Sequence, residues 1–425
     1  MVSSSLFVVL CGCGKPSIDV PATLTAIGQA TPVRVQVHDT HGVSKVTAYV
    51  EQNGAEYPVW QTMRGADASD STFDFTVGVK ATPELKDGPA RLIVEATSGG
   101  LFHRTEREAR DVNVVTQPPV VSADSDQHYL YLGMADLVTM NVTGAYTSAG
   151  VRVGDEAFRA WPVPGGKGGM FSLFAFAWNM PAGTTPLVYA SNGVGNDVTT
   201  PIAVVFPKKE QPVYTLHDIQ VTDQFMQKVL GELDPSGTGD RVARFVRINS
   251  EMRKANNKTL SELRLKTADR FLWSQPFTRQ SHSQAESSFA DKRTYFYHGN
   301  KIDEQVHLGY DLAGTQHMGV EASNDGRVVW AAPLGIYGNC IVVDHGYGLQ
   351  TIYGHLSRID VHEGDEVKRG QNMGLSGTTG MAAGDHVHFA MQLDGVQIDP
   401  KEWWDGHWIQ DHIARRVDLP GFSSR

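Results

Sequence analysis

The chain is expected to be mainly β, with two N-terminal β-sandwich modules, a short helical connector and a C-terminal domain of antiparallel strands. Three observations predict this. Through roughly the first two hundred positions, short apolar/polar alternations are separated by turn signals, as half-buried strands require. The period then switches to helical spacing around Val221, Phe225 and Val229. From about Phe271 the strand pattern returns, and 11 of the 16 histidines lie between His282 and His412.

At 425 residues the chain exceeds what one core holds, which predicts about three folded domains. A composition of 41% hydrophobic and 20% charged residues excludes wholesale disorder. The net charge of −10, with no lysine or arginine block, argues against a nucleic-acid partner. Leu6-Phe7-Val8-Val9-Leu10 is too short to span a bilayer. With Leu10-Cys11-Gly12-Cys13 it resembles a bacterial lipoprotein signal over residues 1–13, which implies a lipid on Cys13 and a membrane anchor. Met1 to Ser5 departs from that pattern in holding no basic residue. The localisation so implied is the periplasmic side of a bacterial envelope, with secretion as the alternative. Cys340, in the apolar run Asn339-Cys340-Ile341-Val342-Val343, is expected to be a packed core thiol.

A first module is expected over 20–116. Val33, Val35 and Val37 alternate with polar residues, Asn53-Gly54 signals a hairpin, and Phe73-Asp74-Phe75-Thr76-Val77 alternates again. Leu92 and Val94 share a face with Ala90 and Ala96. Thr116-Gln117-Pro118-Pro119 reads as a linker into a second module over 117–207. Its strands are placed at Tyr129-Leu130-Tyr131-Leu132, at 171–178 and at 186–190. Leu187-Val188-Tyr189-Ala190-Ser191-Asn192-Gly193 resembles the last strand of bacterial immunoglobulin-like modules, as does 92–97. Both modules read as spacers or docking modules for an envelope protein partner. Trp161 and Trp178 are assigned to the core ahead of a carbohydrate surface.

Pro207-Lys208-Lys209-Glu210-Gln211-Pro212 marks a second linker, and 208–268 is expected to be the helical connector. Thr222 is its N-cap candidate. Val242, Phe245, Val246 and Met252 mark a second helix that Asn256-Asn257 should end. The arginines at 241, 244, 247 and 253 read as a solvated face. This segment is either a connector or a cover for the domain at 269–411.

That last domain carries the chemistry. His307-Leu308-Gly309-Tyr310-Asp311, Tyr353-Gly354-His355-Leu356-Ser357 and Asp385-His386-Val387-His388-Phe389 supply a histidine, a carboxylate and a spaced histidine pair. Those are ligand types of a catalytic zinc that keeps one position open. In a regular strand His307 and Asp311 would stand about 13 Å apart, too far to share an ion. The chain must therefore bend, and Gly309 is the obvious place. His386 and His388 fall on one strand face, roughly 7 Å apart. Spacing does not decide which of that pair meets the metal. Isolated His-x-x-x-Asp or His-x-His patterns are more often coincidence; their joint occurrence with His355 between them is what counts.

The segment resembles the lysostaphin-type (LytM-domain) peptidoglycan metalloendopeptidases over about the last third of the chain. The resemblance rests on the motifs above. It also rests on Phe289-Ala290-Asp291-Lys292-Arg293, on Gly338 through Gly346, on Gly364-Asp365-Glu366-Val367-Lys368-Arg369-Gly370-Gln371 and on Gly377-Thr378-Thr379-Gly380. It implies Zn2+ held by His307, Asp311 and His388, with His355 and His386 as catalytic histidines and water in the fourth position. The implied activity is zinc-dependent endopeptidase cleavage of peptidoglycan stem or cross-bridge peptides. The alternative is a non-catalytic activator or scaffold for cell-wall amidases, as in relatives that have lost their ligands. A barrel-sandwich carrier module is disfavoured, because 361–371 presents no modifiable lysine at a hairpin tip between hydrophobic residues and leaves the histidines unexplained. His345 is expected to be structural, His317, His362, His407 and His412 show no partner spacing, and His282 and His298 are candidates to cover the open zinc position. Glycines 374, 377, 380 and 384 read as tight turns beside a cleft, since no phosphate-loop lysine follows.

Overall fold

Alternation in the first strands becomes a sandwich because each strand has one face to bury. The computed structural model describes residues 15–62, 65, 67–166, 168–181, 183–195, 197–207, 214–417, 419, 421 and 422. The segment 1–13 with Cys11 and Cys13, and the linker positions 208–212, lie outside the described residues. The chain divides into two compact units. One comprises Met1–Val121, Val142–Ala149 and Ala190–Thr199; the other comprises Ser122–Asn141, Gly150–Tyr189 and Thr200–Arg425.

In the first unit Thr31–His38 is buried at every second residue. It pairs antiparallel with Asp70–Val77, setting Val33 against Phe75 and Val35 against Phe73. A five-stranded sheet runs in the order Ala26–Ile27, Thr105–Val114, Gly88–Ser98, Val43–Gln52, Ala55–Gln61. Val35, Val37, Val46, Val50, Leu92 and Val94 from the two sheets share one core. Asn53-Gly54 joins Val43–Gln52 to Ala55–Gln61, as its hairpin signal predicts.

The second unit is built on an antiparallel eight-stranded sheet. Its order is Gln284–Ser287, Tyr310–Ala313, Val387–Leu393, Leu349–Leu356, Asn339–Asp344, Gly326–Pro333 and Glu366–Val367, and Val396–Ile398 also pairs with Val387–Leu393. Asp394-Gly395 makes the expected hairpin between the last pair. Every residue of Leu349–Leu356 and Val387–Leu393 is buried. Strands buried along their whole length must be covered on both faces.

The helical segment covers one of them. Met226, Val229 and Leu230 of helix α1 (Asp223–Leu233), Phe245 of α2 (Arg241–Arg247) and Leu260 of α3 (Arg253–Glu262) share a core with Val342, Ile352 and Ala390 of the sheet. Leu216–Gln220 pairs parallel with Asp291–Tyr297, which pairs antiparallel with Asn300–His307. Thr222 caps α1 as expected, its hydroxyl accepting from the Phe225 N–H at 3.1 Å. Asn256-Asn257 does not end α3. The Ile336 N–H donates to the Asn256 side chain at 2.9 Å and the Tyr337 hydroxyl to Asn257 at 2.8 Å. These partners occupy the amides that would otherwise compete with the helix backbone. Arg244 is not a solvated residue either: it pairs with Asp234 at 2.8 Å and is mostly buried.

Trp161 and Trp178 are half-buried rather than core. Trp161 lies under the Arg159 guanidinium at 4.4 Å and 5.3 Å from the Tyr347 ring, so it packs at an edge. Cys340 is a fully buried thiol, and burial pushes its pKa up. His345 is structural: Nδ1 meets the Asp325 carbonyl at 2.7 Å and Nε2 the Thr351 hydroxyl at 2.8 Å, while burial pushes it down to about 4.

At the centre of the sheet the Tyr353 hydroxyl accepts from the Ser323 N–H at 2.7 Å and the Thr351 hydroxyl at 3.1 Å. Tyr353→Phe strands the buried Ser323 N–H. We expect a loss of about 1–3 kcal/mol, seen as a lower urea midpoint at unchanged slope. An unchanged midpoint would show that another partner replaces the phenol.

Candidate metal centre and cleft

Strand register brings the ligand types together. Asp311 stands opposite His388 in the pair Tyr310–Ala313/Val387–Leu393, and Gly354 stands opposite His388 on its other side. His307 ends its strand, and the chain bends through Leu308 and Gly309 before Tyr310 starts the next. The expected bend is there. Its glycine serves a purpose that spacing did not reveal, because a β-carbon at 309 would lie 2.7 Å from Cε1 of His388. Gly309 makes room for the ring opposite.

His307 Nε2 lies 2.9 Å from His388 Nδ1 and 3.0 Å from Asp311 Oδ1, and His388 Nδ1 lies 3.2 Å from the same oxygen. Ligand atoms about 2.0–2.1 Å from one tetrahedral zinc stand roughly 3.3 Å apart, so the triangle fits such an ion. His307 Nδ1 lies 3.1 Å from the Ser288 carbonyl, which draws its N–H outward and leaves the Nε2 lone pair facing the triangle. His388 Nε2 is buried without a hydrogen-bond partner. Burial opposes charge on Asp311, yet His307, His386 and His388 hold its carboxyl well below the usual range. Burial pushes His388 down to about 4 against the pull of Asp311.

The other two predicted residues border this triangle. His386 precedes its strand instead of lying in it, yet its Nε2 is 3.3 Å from Asp311 Oδ1. Its Nδ1 is 2.8 Å from the Gly384 carbonyl. Burial lowers its pKa, but the Asp311 carboxylate outweighs this and raises it. The His355 ring sits 4.9 Å from that of His386 and 5.9 Å from that of His388. Its Nδ1 is 2.8 Å from the Thr379 carbonyl, and burial, then the neighbouring histidines, push its pKa well down. His355 has a left-handed φ of 66°, a strained backbone for a non-glycine residue. All five predicted residues therefore line one cleft of about 760 Å³.

Other groups at the site carry no spacing signal. Arg293 donates to Asp311 Oδ2 at 2.7 Å and to the Ser287 hydroxyl at 2.7 Å, fixing the carboxylate so that Oδ1 meets the histidines. Tyr337 places its ring 5.4 Å from His388. Gln224, Phe225 and Lys228 of α1 wall the cleft opposite the ligands' own strands. Arg293 sits in a quoted motif, but nothing in the sequence pairs it with Asp311. His282 and His298 do not line the cleft; His298 lies 3.4 Å from Asp223 instead. His317 lies near Asp385 and His412 near Asp136, at 3.5 and 3.2 Å, so both have partners that sequence spacing did not suggest.

Comparison with known proteins points the same way. The model of peptidase family M23 matches residues 305–400. Over 96 residues the chain is 35% identical to the DD-carboxypeptidase/endopeptidase Mpg of Neisseria meningitidis, covering 23% of this chain and 22% of that protein. It is 42% identical over 93 residues to the peptidoglycan DD-endopeptidase ShyA of Vibrio cholerae, 22% of each chain. It is also 36% identical over 93 residues to the murein hydrolase activator NlpD of Salmonella dublin, 22% of this chain and 24% of that one. The chain thus spans under a quarter of the length of these relatives. On these matches, and on the His-Asp-His cluster they enclose, this chain carries a peptidase family M23 domain towards its C-terminus, matched over residues 305–400.

Proposed function

We propose that the chain is a zinc-dependent endopeptidase that hydrolyses peptide cross-links of bacterial peptidoglycan. The observation that carries this reading is the convergence of His307, Asp311 and His388, whose ligand atoms lie within 4.8 Å of one another. These three would hold Zn2+ through Nε2, Oδ1 and Nδ1. Zinc there supplies Lewis-acid polarisation of the scissile carbonyl and a more acidic water.

The protein's own groups supply the proton chemistry. His355 donates through Nδ1 to Thr379, which leaves Nε2 as the atom able to take a proton from the attacking water. His386 donates through Nδ1 to the Gly384 carbonyl, while the Asp311 carboxylate beside Nε2 favours a proton there. With Asp311 Oδ1 engaged by the metal, that Nε2–H would be the donor for a developing oxyanion. Arg293 keeps the Asp311 carboxylate oriented throughout.

The relatives named as endopeptidases support the choice of substrate. In this reading Cys13, outside the described residues, bears the lipid, and the β-modules hold the cleft away from an envelope membrane. The activator reading is favoured by the NlpD match alone. It is weakened because the set of His307, Asp311 and His388 is complete here.

Purified protein should bind one zinc and release new muropeptides from isolated peptidoglycan, resolved by mass spectrometry. His307→Ala and Asp311→Asn should lose both properties. His355→Ala should keep the metal while kcat falls by about 10²–10⁴-fold. A parent that binds zinc, cuts nothing and stimulates an amidase would decide for the activator.

Gly309→Ala tests the steric argument. The added methyl must displace the His388 ring, so we expect a folded protein with zinc affinity weakened by about 10–100-fold, measured by competition with a chelator. Unchanged affinity would show that the ring has room to shift.

A further inference from the structure

The cleft is not closed by the family-matched segment alone. Helix α1 lies outside residues 305–400, yet two of its side chains grip the two peptide units that flank the Gly380 α-carbon, in the loop at 377–384. The Lys228 ammonium donates to the Gly380 carbonyl and, at 3.3 Å, to that of Ala382. The Glu232 carboxylate accepts from the Gly380 N–H. Lys228 and Glu232 stand one helical turn apart and pair at 3.3 Å. Both polar groups of Gly380 are thus held by oppositely charged side chains of one helix, and charge-assisted hydrogen bonds are the stronger kind.

What this grip fixes is the neighbouring carbonyl. Thr379 presents its carbonyl oxygen to His355 Nδ1 at 2.8 Å, while its hydroxyl donates to Leu356 at 2.9 Å and accepts from the Asn339 N–H at 2.9 Å. The sheet therefore holds Thr379 from one side and α1 holds Gly380 from the other. No β-carbon fits at 380, where it would lie 2.4 Å from the Gly338 nitrogen and the Ile336 oxygen, so the loop is pressed against its neighbours. Two further facts show α1 to be firmly seated. Met226, Val229 and Leu230 pack into the core behind the sheet, and Lys228 is about two-thirds buried.

We propose that Lys228 and Glu232 are positioning residues for His355. By clamping Gly380 they hold the Thr379 carbonyl where it keeps the proton on Nδ1 and leaves Nε2 free for the reaction. α1 is in this view a working wall of the cleft and not a tether. The proposal rests on His355 acting in hydrolysis, as argued above, but it also predicts a property of the His355 ring that exists without turnover.

The test uses the full chain loaded with zinc and labelled with 15N-histidine. In the parent the His355 ring should show a single tautomer with Nδ1 protonated. Lys228→Met and Glu232→Ala should each lower kcat by about 10–100-fold with KM within twofold and zinc content unchanged. The His355 signals should shift towards a mixture of tautomers. Lys228→Arg, which keeps a donor of the same charge, should restore most of kcat. If Lys228→Met fails to fold, Glu232→Ala, which removes the acceptor of the Gly380 N–H, carries the same test. Variants with parental kcat and an unchanged His355 tautomer overturn the clamp, as does a loss confined to KM. A parent without hydrolytic activity would defeat the endopeptidase reading instead, and the ring signals would still decide the clamp.

Discussion

The register of three neighbouring strands governs everything at this site. His388 faces Asp311 across one strand pair and Gly354 across the other, and His355 follows Gly354 directly. A slip of one residue in either pairing would turn His388 to the opposite face of the sheet and scatter the set. The central strands resist such a slip because they are buried along their whole length, with Tyr353 and Phe389 among the largest fully buried side chains. A polar site thus takes its geometry from an apolar constraint. The ligands do not have to find one another, since the sheet has already set their spacing.

Around that register, three of the four histidines are oriented by a backbone carbonyl. The Ser288 carbonyl turns His307, the Thr379 carbonyl turns His355 and the Gly384 carbonyl turns His386. Arg293 does the same for Asp311 with a side chain. Backbone carbonyls set in tight loops move less than side chains do, so ring orientation is fixed before any substrate arrives. For the proposed hydrolysis, such an arrangement would set the placement of the reacting groups in advance.

Much of this was legible in the sequence. The alternation around Val33 and Val35 and the hairpins at Asn53-Gly54 and Asp394-Gly395 follow from local periodicity and turn chemistry, whereas the five clustered residues were marked by the joint occurrence of their motifs and by the family resemblance those motifs carry. What stayed hidden is of two kinds. One kind depends on residues distant in sequence that meet only after folding: Arg293 with Asp311, Asn256 with Ile336, Lys228 with Gly380. The other kind is a local signal whose cause lies elsewhere. Gly309 looked like a hinge, but its missing side chain makes space for a ring contributed about eighty positions later. Asn256-Asn257 looked like a helix stop because free asparagine amides compete for the helix's own backbone groups. Here residues 336 and 337 occupy those amides instead.

The core shared by α1, α2 and α3 with Val342, Ile352 and Ala390 bears on where this domain begins. Sequence matching draws its border at position 305, whereas burial of apolar surface draws it at least eighty residues earlier. Cut at the first border, the chain would expose the back of its own sheet, an apolar strip of the kind that drives proteins to stick to one another. The unit that recurs among relatives and the unit that can stand alone in water are therefore different lengths of the same polypeptide.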